Sequence, residues 1–175
     1  TYATLVVVLD GLHLDDGEYV LQRLRDGSER LTVAQENLAF VPLPTVTEFC
    51  KDALLKGIVP VRAPDHKPLG EVIPESRSPI EVLQNAQPGT LYLWRVQEPD
   101  NTYHSRNRHQ MLRRDIESQL DGITQKVVDV VNGVNSKVPL RIIVTTDHGR
   151  LLAESQRSLA VPPGMTSHGR AAWGV

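Results

Sequence analysis

Four runs of apolar and β-branched residues punctuate the chain: Thr4–Leu9 (TLVVVL), Leu38–Leu43 (LAFVPL), Leu91–Val96 (LYLWRV) and Leu140–Thr145 (LRIIVT). The first and last are almost continuously apolar rather than alternating, which is the pattern of parallel strands covered on both faces. Between the runs the period lengthens to that of helices. Asp16–Arg25 carries Val20, Leu21 and Leu24 on one face, and Thr47–Lys56 spaces Phe49, Ala53 and Leu54 for a helix that Gly57 stops. Ser78, Pro79 and Glu81 form a start signal, with a hydroxyl cap, proline at the first helical position and a carboxylate three residues after the cap. The longest helix is predicted from about Arg108 to Asn132, where Leu112, Ile116, Leu120, Ile123, Val127 and Val131 recur every three or four residues as one stripe. Strands alternating with helices predict an α/β fold, a mostly parallel, doubly wound sheet with helices on both faces. The stretch 58–90 breaks the rhythm. It holds six of the twelve prolines and reads as an irregular insertion, either a surface excursion or a lid over a site.

Composition narrows the setting. A chain of 175 residues buries one sizeable core, so residues 1–175 are expected to form a single domain. The 19 basic and 21 acidic residues nearly cancel, which argues against a protein that grips nucleic acid through bulk positive charge but leaves room for a local basic patch. No apolar run approaches the roughly 20 residues that span a bilayer, and neither a signal peptide nor a membrane partner is expected. The single cysteine, Cys50, cannot form an internal disulfide, and a cytoplasmic protein is the default expectation. The chain opens at Thr1 without an initiator methionine, enters a strand almost at once, and stops at Val175 just after the motif-rich stretch Thr166–Gly174. That reads as a domain excised from a longer protein.

The chemistry is concentrated where the strands end. Asp10 directly follows the first strand, Asp100 and His104 follow the third, and Asp147 with His148 follow the last. In an open parallel sheet, ligands bind outside the carboxyl ends of the strands, where loops converge. Each residue alone has an ordinary explanation: an aspartate after a strand caps turns and helices, Asp100 and His104 fit a capped turn, and Asp147-His148-Gly149 fits a strand exit. Together they offer carboxylates and imidazoles to a divalent transition ion. Two such ions about 4 Å apart are a recurrent device for phosphoryl transfer, because they stabilise both the attacking and the leaving oxygen.

These residues resemble the alkaline phosphatase superfamily and, within it, the PglZ domain of bacteriophage-exclusion (BREX) systems. The resemblance runs from VVVLDGL at Val6–Leu12, through PTVT at Pro44–Thr47, Asp100-Asn-Thr-Tyr-His104 and TTDHG at Thr145–Gly149, to TSHGR at Thr166–Arg170. It implies an alkaline phosphatase-like fold and two divalent metal ions, zinc first, with manganese or magnesium as alternatives. Asp10, Asp147, His148 and the oxygen of the nucleophile would bind one ion, and Asp100, His104 and His168 the other. Thr47 is the implied nucleophile rather than Thr45, because it begins a helix and lies ten residues before Gly57, a spacing similar to that of the phosphodiesterase branch. Its other reading is a plain helix N-cap. Arg170, Arg106 and Arg108 are candidates for binding substrate phosphate or a nucleic-acid backbone. His13, His66 and His109 lie outside the motif, and Tyr92 and Trp94 read as strand core. One position departs from the pattern: Cys50 stands where the phosphodiesterase branch often has asparagine.

The implied function is a metal-dependent phosphatase or phosphodiesterase of phage defence. Its partners would be a phosphoester, with nucleic acid as a candidate, and other BREX proteins. The alternative is an assembly module that keeps a metal site while doing little or no chemistry. A phosphomutase shares the ligands, but about 40 residues between Gly57 and Asp100 are too few for the cap domain it usually carries. The G-x-S-x-G, G-x-x-x-x-G-K-[ST] and G-x-G-x-x-G motifs are absent, so serine-hydrolase, P-loop and dinucleotide-binding readings lack their defining residues.

Overall fold

A computed structural model describes residues 1–39, 45–58, 66–105, 109–135, 137–149, 160–168 and 171–173, with side-chain surroundings for all of these except 48, 102–105, 109–112, 167–168 and 171–173. The elements run in the order β1 (Ala3–Leu9), α1 (Leu14–Gly27), α2 (Thr47–Lys56), β2 (Glu71–Val72), α3 (Pro79–Leu83), β3 (Leu91–Val96), α4 (Glu98–Ser105), α5 (His109–Gly133), β4 (Leu140–Thr146), β5 (Thr166–His168) and β6 (Ala171–Trp173).

Four strands form one sheet in the order β2-β3-β1-β4, every pairing parallel, and β5 and β6 form a separate antiparallel pair. The molecule is therefore α/β with a parallel sheet. The register aligns Leu5 with Tyr92 and Ile142, Val7 with Trp94 and Val144, and Leu9 with Val96 and Thr146. Because side chains alternate along a strand, those residues share one face. They pack with Val20 and Leu24 of α1, Leu83 of α3, and Ile116, Leu120, Ile123 and Val127 of α5 in a single apolar cluster. The predicted stripe of α5 is thus the side of the helix that meets the sheet. The opposite face buries Val8 and Leu93 but leaves Ile143 on the outer strand 43% exposed. The near-continuous apolarity of β4 accordingly gives a strand covered on one face, with Leu140, Ile142 and Val144 turned to the core.

Local signals explain the element ends. Ser78 accepts a hydrogen bond from the Ile80 N–H, with Pro79 in the first helical position. Gly57 adopts φ +65° after α2, and its N–H and that of Ile58 return to carbonyls of the last helical turn, as a left-handed cap requires. Part of the stretch 58–90 joins the sheet and the core. Residues 59–65 lie outside the described residues, but Glu71–Val72 adds a short parallel strand beside β3, and Ile73, Leu83 and Ala86 are buried in the core. The expected strand Leu38–Leu43 is not matched where it can be compared. Leu38 and Ala39 are irregular and exposed, and 40–43 lie outside the described residues.

The chain leaves β1 toward the β2-β3 side of the sheet and leaves β3 toward β4 on the other side. The carboxyl end of β1 therefore lies between strands whose connections diverge, which is where a crevice opens in such sheets. Among the described residues, no helix is long and apolar enough to cross a membrane.

Candidate functional site

The paired ends of β1 and β4 bring Asp10, Asp147 and His148 together. Each is only 3% exposed. One ligand atom from each lies within 4.8 Å of the others, so the three residues could hold a metal ion. His148 Nε2 is 3.6 Å from Asp10 Oδ1 and 3.9 Å from Asp147 Oδ2.

Backbone and hydroxyl groups fix these side chains. The N–H groups of Gly11 and His148 both donate to Asp147 Oδ1, at 3.2 and 3.0 Å. Asp147 Oδ2 is buried and accepts no hydrogen bond from any described residue. Burial first, and the negative charge of Asp10 second, push the Asp147 carboxyl above its ordinary range. A buried oxygen without a donor costs on the order of 1–3 kcal/mol, and a cation is the partner that relieves both the orphaned oxygen and the repulsion between carboxylates. His148 Nδ1 is 3.0 Å from the Gly149 carbonyl oxygen. A carbonyl only accepts, so Nδ1 carries the hydrogen and Nε2 presents its lone pair, the arrangement in which imidazole ligates a metal. The donor set therefore suits a metal ion.

Thr47 enters from α2. Its Oγ1 is 2.8 Å from His148 Nε2 and 3.3 Å from Asp10 Oδ1. The N-cap of α2 is Val46, and no side chain caps that helix. Thr47 is therefore the first helical residue, and its hydroxyl is spent on the acidic cluster rather than on its own helix. The plain N-cap reading does not hold.

The other sequence-derived positions divide. Asp100 reaches the cluster's edge: a Cβ placed on Gly11 would lie 3.0 Å from Asp100 Oδ1 and 3.2 Å from His148 Cε1, so the two side chains flank that glycine. His104 falls on α4 one helical turn after Asp100, but its side chain is outside the description, as is that of His168 on β5. Arg106, Arg108 and Arg170 lie outside the described residues. His13 caps α1 by accepting from the Asp15 N–H, His66 is exposed, and the side chain of His109 is outside the description. Tyr92 is buried and Trp94 packs on the core, as a strand core requires.

Two residues escaped the sequence reading. Arg95 donates through Nη2 to Asp10 Oδ2. Its signal is a lone charge in an otherwise apolar strand, since a charge in such a place needs a partner. Thr146 donates to the His148 carbonyl at 2.7 Å and accepts from the Leu12 N–H at 3.1 Å, which ties the loop after β1 to the loop after β4.

Comparison of the chain with protein-family models, with curated proteins and with solved structures finds no match.

Proposed function

We propose that this chain is a metal-dependent phosphoester hydrolase of the alkaline phosphatase type, with Thr47 as its nucleophile. Two divalent ions, zinc first, would be held by Asp10, Asp147, His148 and Thr47 on one side and by Asp100, His104 and His168 on the other. The observation that carries the reading is the placement of the Thr47 hydroxyl, at the start of a helix and within hydrogen-bond reach of both Asp10 and His148. The likeness of the motifs to PglZ domains supports a phosphodiester in nucleic acid as substrate and phage-defence proteins as partners.

A bound divalent ion supplies Lewis acidity, which favours the alkoxide form of the threonine and screens the charge of the phosphate. The chain's own residues do the rest. With His148 Nε2 given to the ion, Asp10 Oδ1 is the acceptor beside the Thr47 hydroxyl proton. Thr47 Oγ1 attacks phosphorus, an Oγ–P bond forms, and the ester oxygen departs with a proton as an alcohol. Water then adds its oxygen to phosphorus and its proton to Oγ as the Oγ–P bond breaks, which restores the hydroxyl and releases phosphate from a monoester or the remaining phosphomonoester from a diester. Thr47 opens α2, and the N-terminus of a helix favours phosphate oxygens.

The test is hydrolysis of model mono- and diesters in zinc or manganese. Thr47→Ala is expected to lose at least about a thousandfold in rate, and Thr47→Ser to keep measurable turnover. An alanine variant as fast as the parent would sink the mechanism.

One observation favours the second reading, an assembly module. Arg95 neutralises Asp10 from within the chain, so part of the cluster is satisfied as a structural ion pair. Tight metal binding without turnover on any phosphoester, together with retention of partner proteins, would mark that role.

A further inference from the structure

We propose that Arg95 is a built-in competitor for the cation at Asp10 and thereby sets how tightly this chain holds metal; the inference rests on the metal-binding reading above. The β1-β3 register pairs Arg95 with Val8, two residues before Asp10, so the arginine and the aspartate share a sheet face and the guanidinium reaches past the end of β1. Its Nη2 donates to Asp10 Oδ2, whereas the contacts of Thr47 and His148 are to the other oxygen, Oδ1. The two partners are unequally enclosed: the Arg95 side chain is 24% exposed and that of Asp10 is 4% exposed.

The Arg95 pose is incomplete. Its Nε is buried and finds no acceptor among the described residues. A guanidinium with an unspent donor stays there because the carboxylate attracts it, so the pose depends on Asp10 keeping its charge for Arg95. A divalent ion drawn to Asp10, Asp147 and His148 removes that attraction and repels the guanidinium at short range. The arginine has a flexible stem and a partly open position, and it answers by turning outward. There it meets an incoming phosphate with all its donors free. Arg95 thus holds the carboxylate in the absence of metal, weakens the metal's grip, and becomes an anion contact once displaced.

The test is titration of the whole chain with zinc alone against a chromophoric chelator, for the parent, Arg95→Gln and Arg95→Lys. Arg95→Gln is expected to bind zinc about tenfold more tightly than the parent, and Arg95→Lys, which keeps the charge, to stay near it. Equal or weaker binding by Arg95→Gln overturns the role of Arg95 while leaving the metal site standing. Failure of all three proteins to bind zinc overturns both. A second readout needs no folded variant: in the parent, the side-chain Nε–H resonance of Arg95, shielded from water, is expected to broaden by solvent exchange as zinc is added. An Nε–H resonance unchanged at zinc saturation overturns the inference.

Discussion

Asp147 carries the tension of the site in one side chain. Its Oδ1 is satisfied by two backbone N–H groups, its Oδ2 has no donor among the described residues, and burial beside Asp10 raises its carboxyl above the ordinary value of 3.8. With metal chelated, the folded state therefore holds the Asp147 proton more firmly than the unfolded chain does. The stability contributed by that proton is fully present below the ordinary value and is lost as pH rises through the raised one. Urea denaturation between about pH 4 and pH 8 in chelator is expected to show this decline in the parent and a flatter profile in Asp147→Asn, which in turn loses zinc binding. Identical profiles would show that the strain lies elsewhere. Gly11 is the second sensitive residue, since its φ is +66° and an added Cβ would meet Asp100 Oδ1 at 3.0 Å. Gly11→Ala is expected to cost about 1–3 kcal/mol by urea denaturation and to weaken zinc binding as Asp100 and His148 are pushed apart. Most of this was legible in the sequence, because Asp10, Asp147 and His148 follow recognisable strands. Thr146 was not, because it looks like an ordinary strand residue until the register shows what stands beside it, and the lone charge of Arg95 in an apolar strand called for a partner without saying that the partner is Asp10.

At the scale of elements, α5 and α4 illustrate what periodicity can and cannot reveal. The α5 stripe is long enough to read, and Ile116, Leu120, Ile123 and Val127 are buried as their spacing predicts. The eight residues of α4 offer no such stripe, and the motif Asp100-Asn-Thr-Tyr-His104 reads equally well as a turn. The overlooked signal is Pro99 in the first turn, where proline's missing N–H costs nothing. Two-residue β2 is too short for any pattern to show. One tertiary contact of α4 is the hydrogen bond that Lys126 of α5 donates to Glu98 at 3.0 Å. Burial would raise the Glu98 carboxyl, but hydrogen bonding and charge from Lys126, with backbone N–H groups, outweigh it and hold the carboxyl below its ordinary range. Its stabilisation is therefore present above the ordinary value of 4.5 and is lost as pH falls through the lowered one. The pair is half exposed, so Glu98→Gln is expected to cost only about 0.5 kcal/mol at neutral pH and less in high salt. A loss several times larger in thermal or urea unfolding would mean that α4 depends on this contact more than its exposure implies.

In the parallel sheet, the inner strand β1 leads into Asp10, its neighbour β4 leads into Asp147 and His148, its neighbour β3 carries Arg95, and α2 adds Thr47. The chain's formal charge of −2 understates how the charge is arranged, because Asp10 and Asp147 are buried together at one edge. On the proposed reading, two divalent ions add about four positive charges there, which makes the strand ends the place where an anionic substrate docks. On that reading Asp10, Asp147 and His148 form the ligand shell of a divalent ion beside Thr47. The direct measurement is anomalous scattering at the zinc edge from crystals grown with zinc. A peak is expected about 2 Å from Asp10, from Asp147 Oδ2 and from His148 Nε2, with Thr47 Oγ1 alongside and a second peak about 4 Å away toward Asp100. Zinc bound elsewhere on the molecule, with no peak among those three residues, would contradict it.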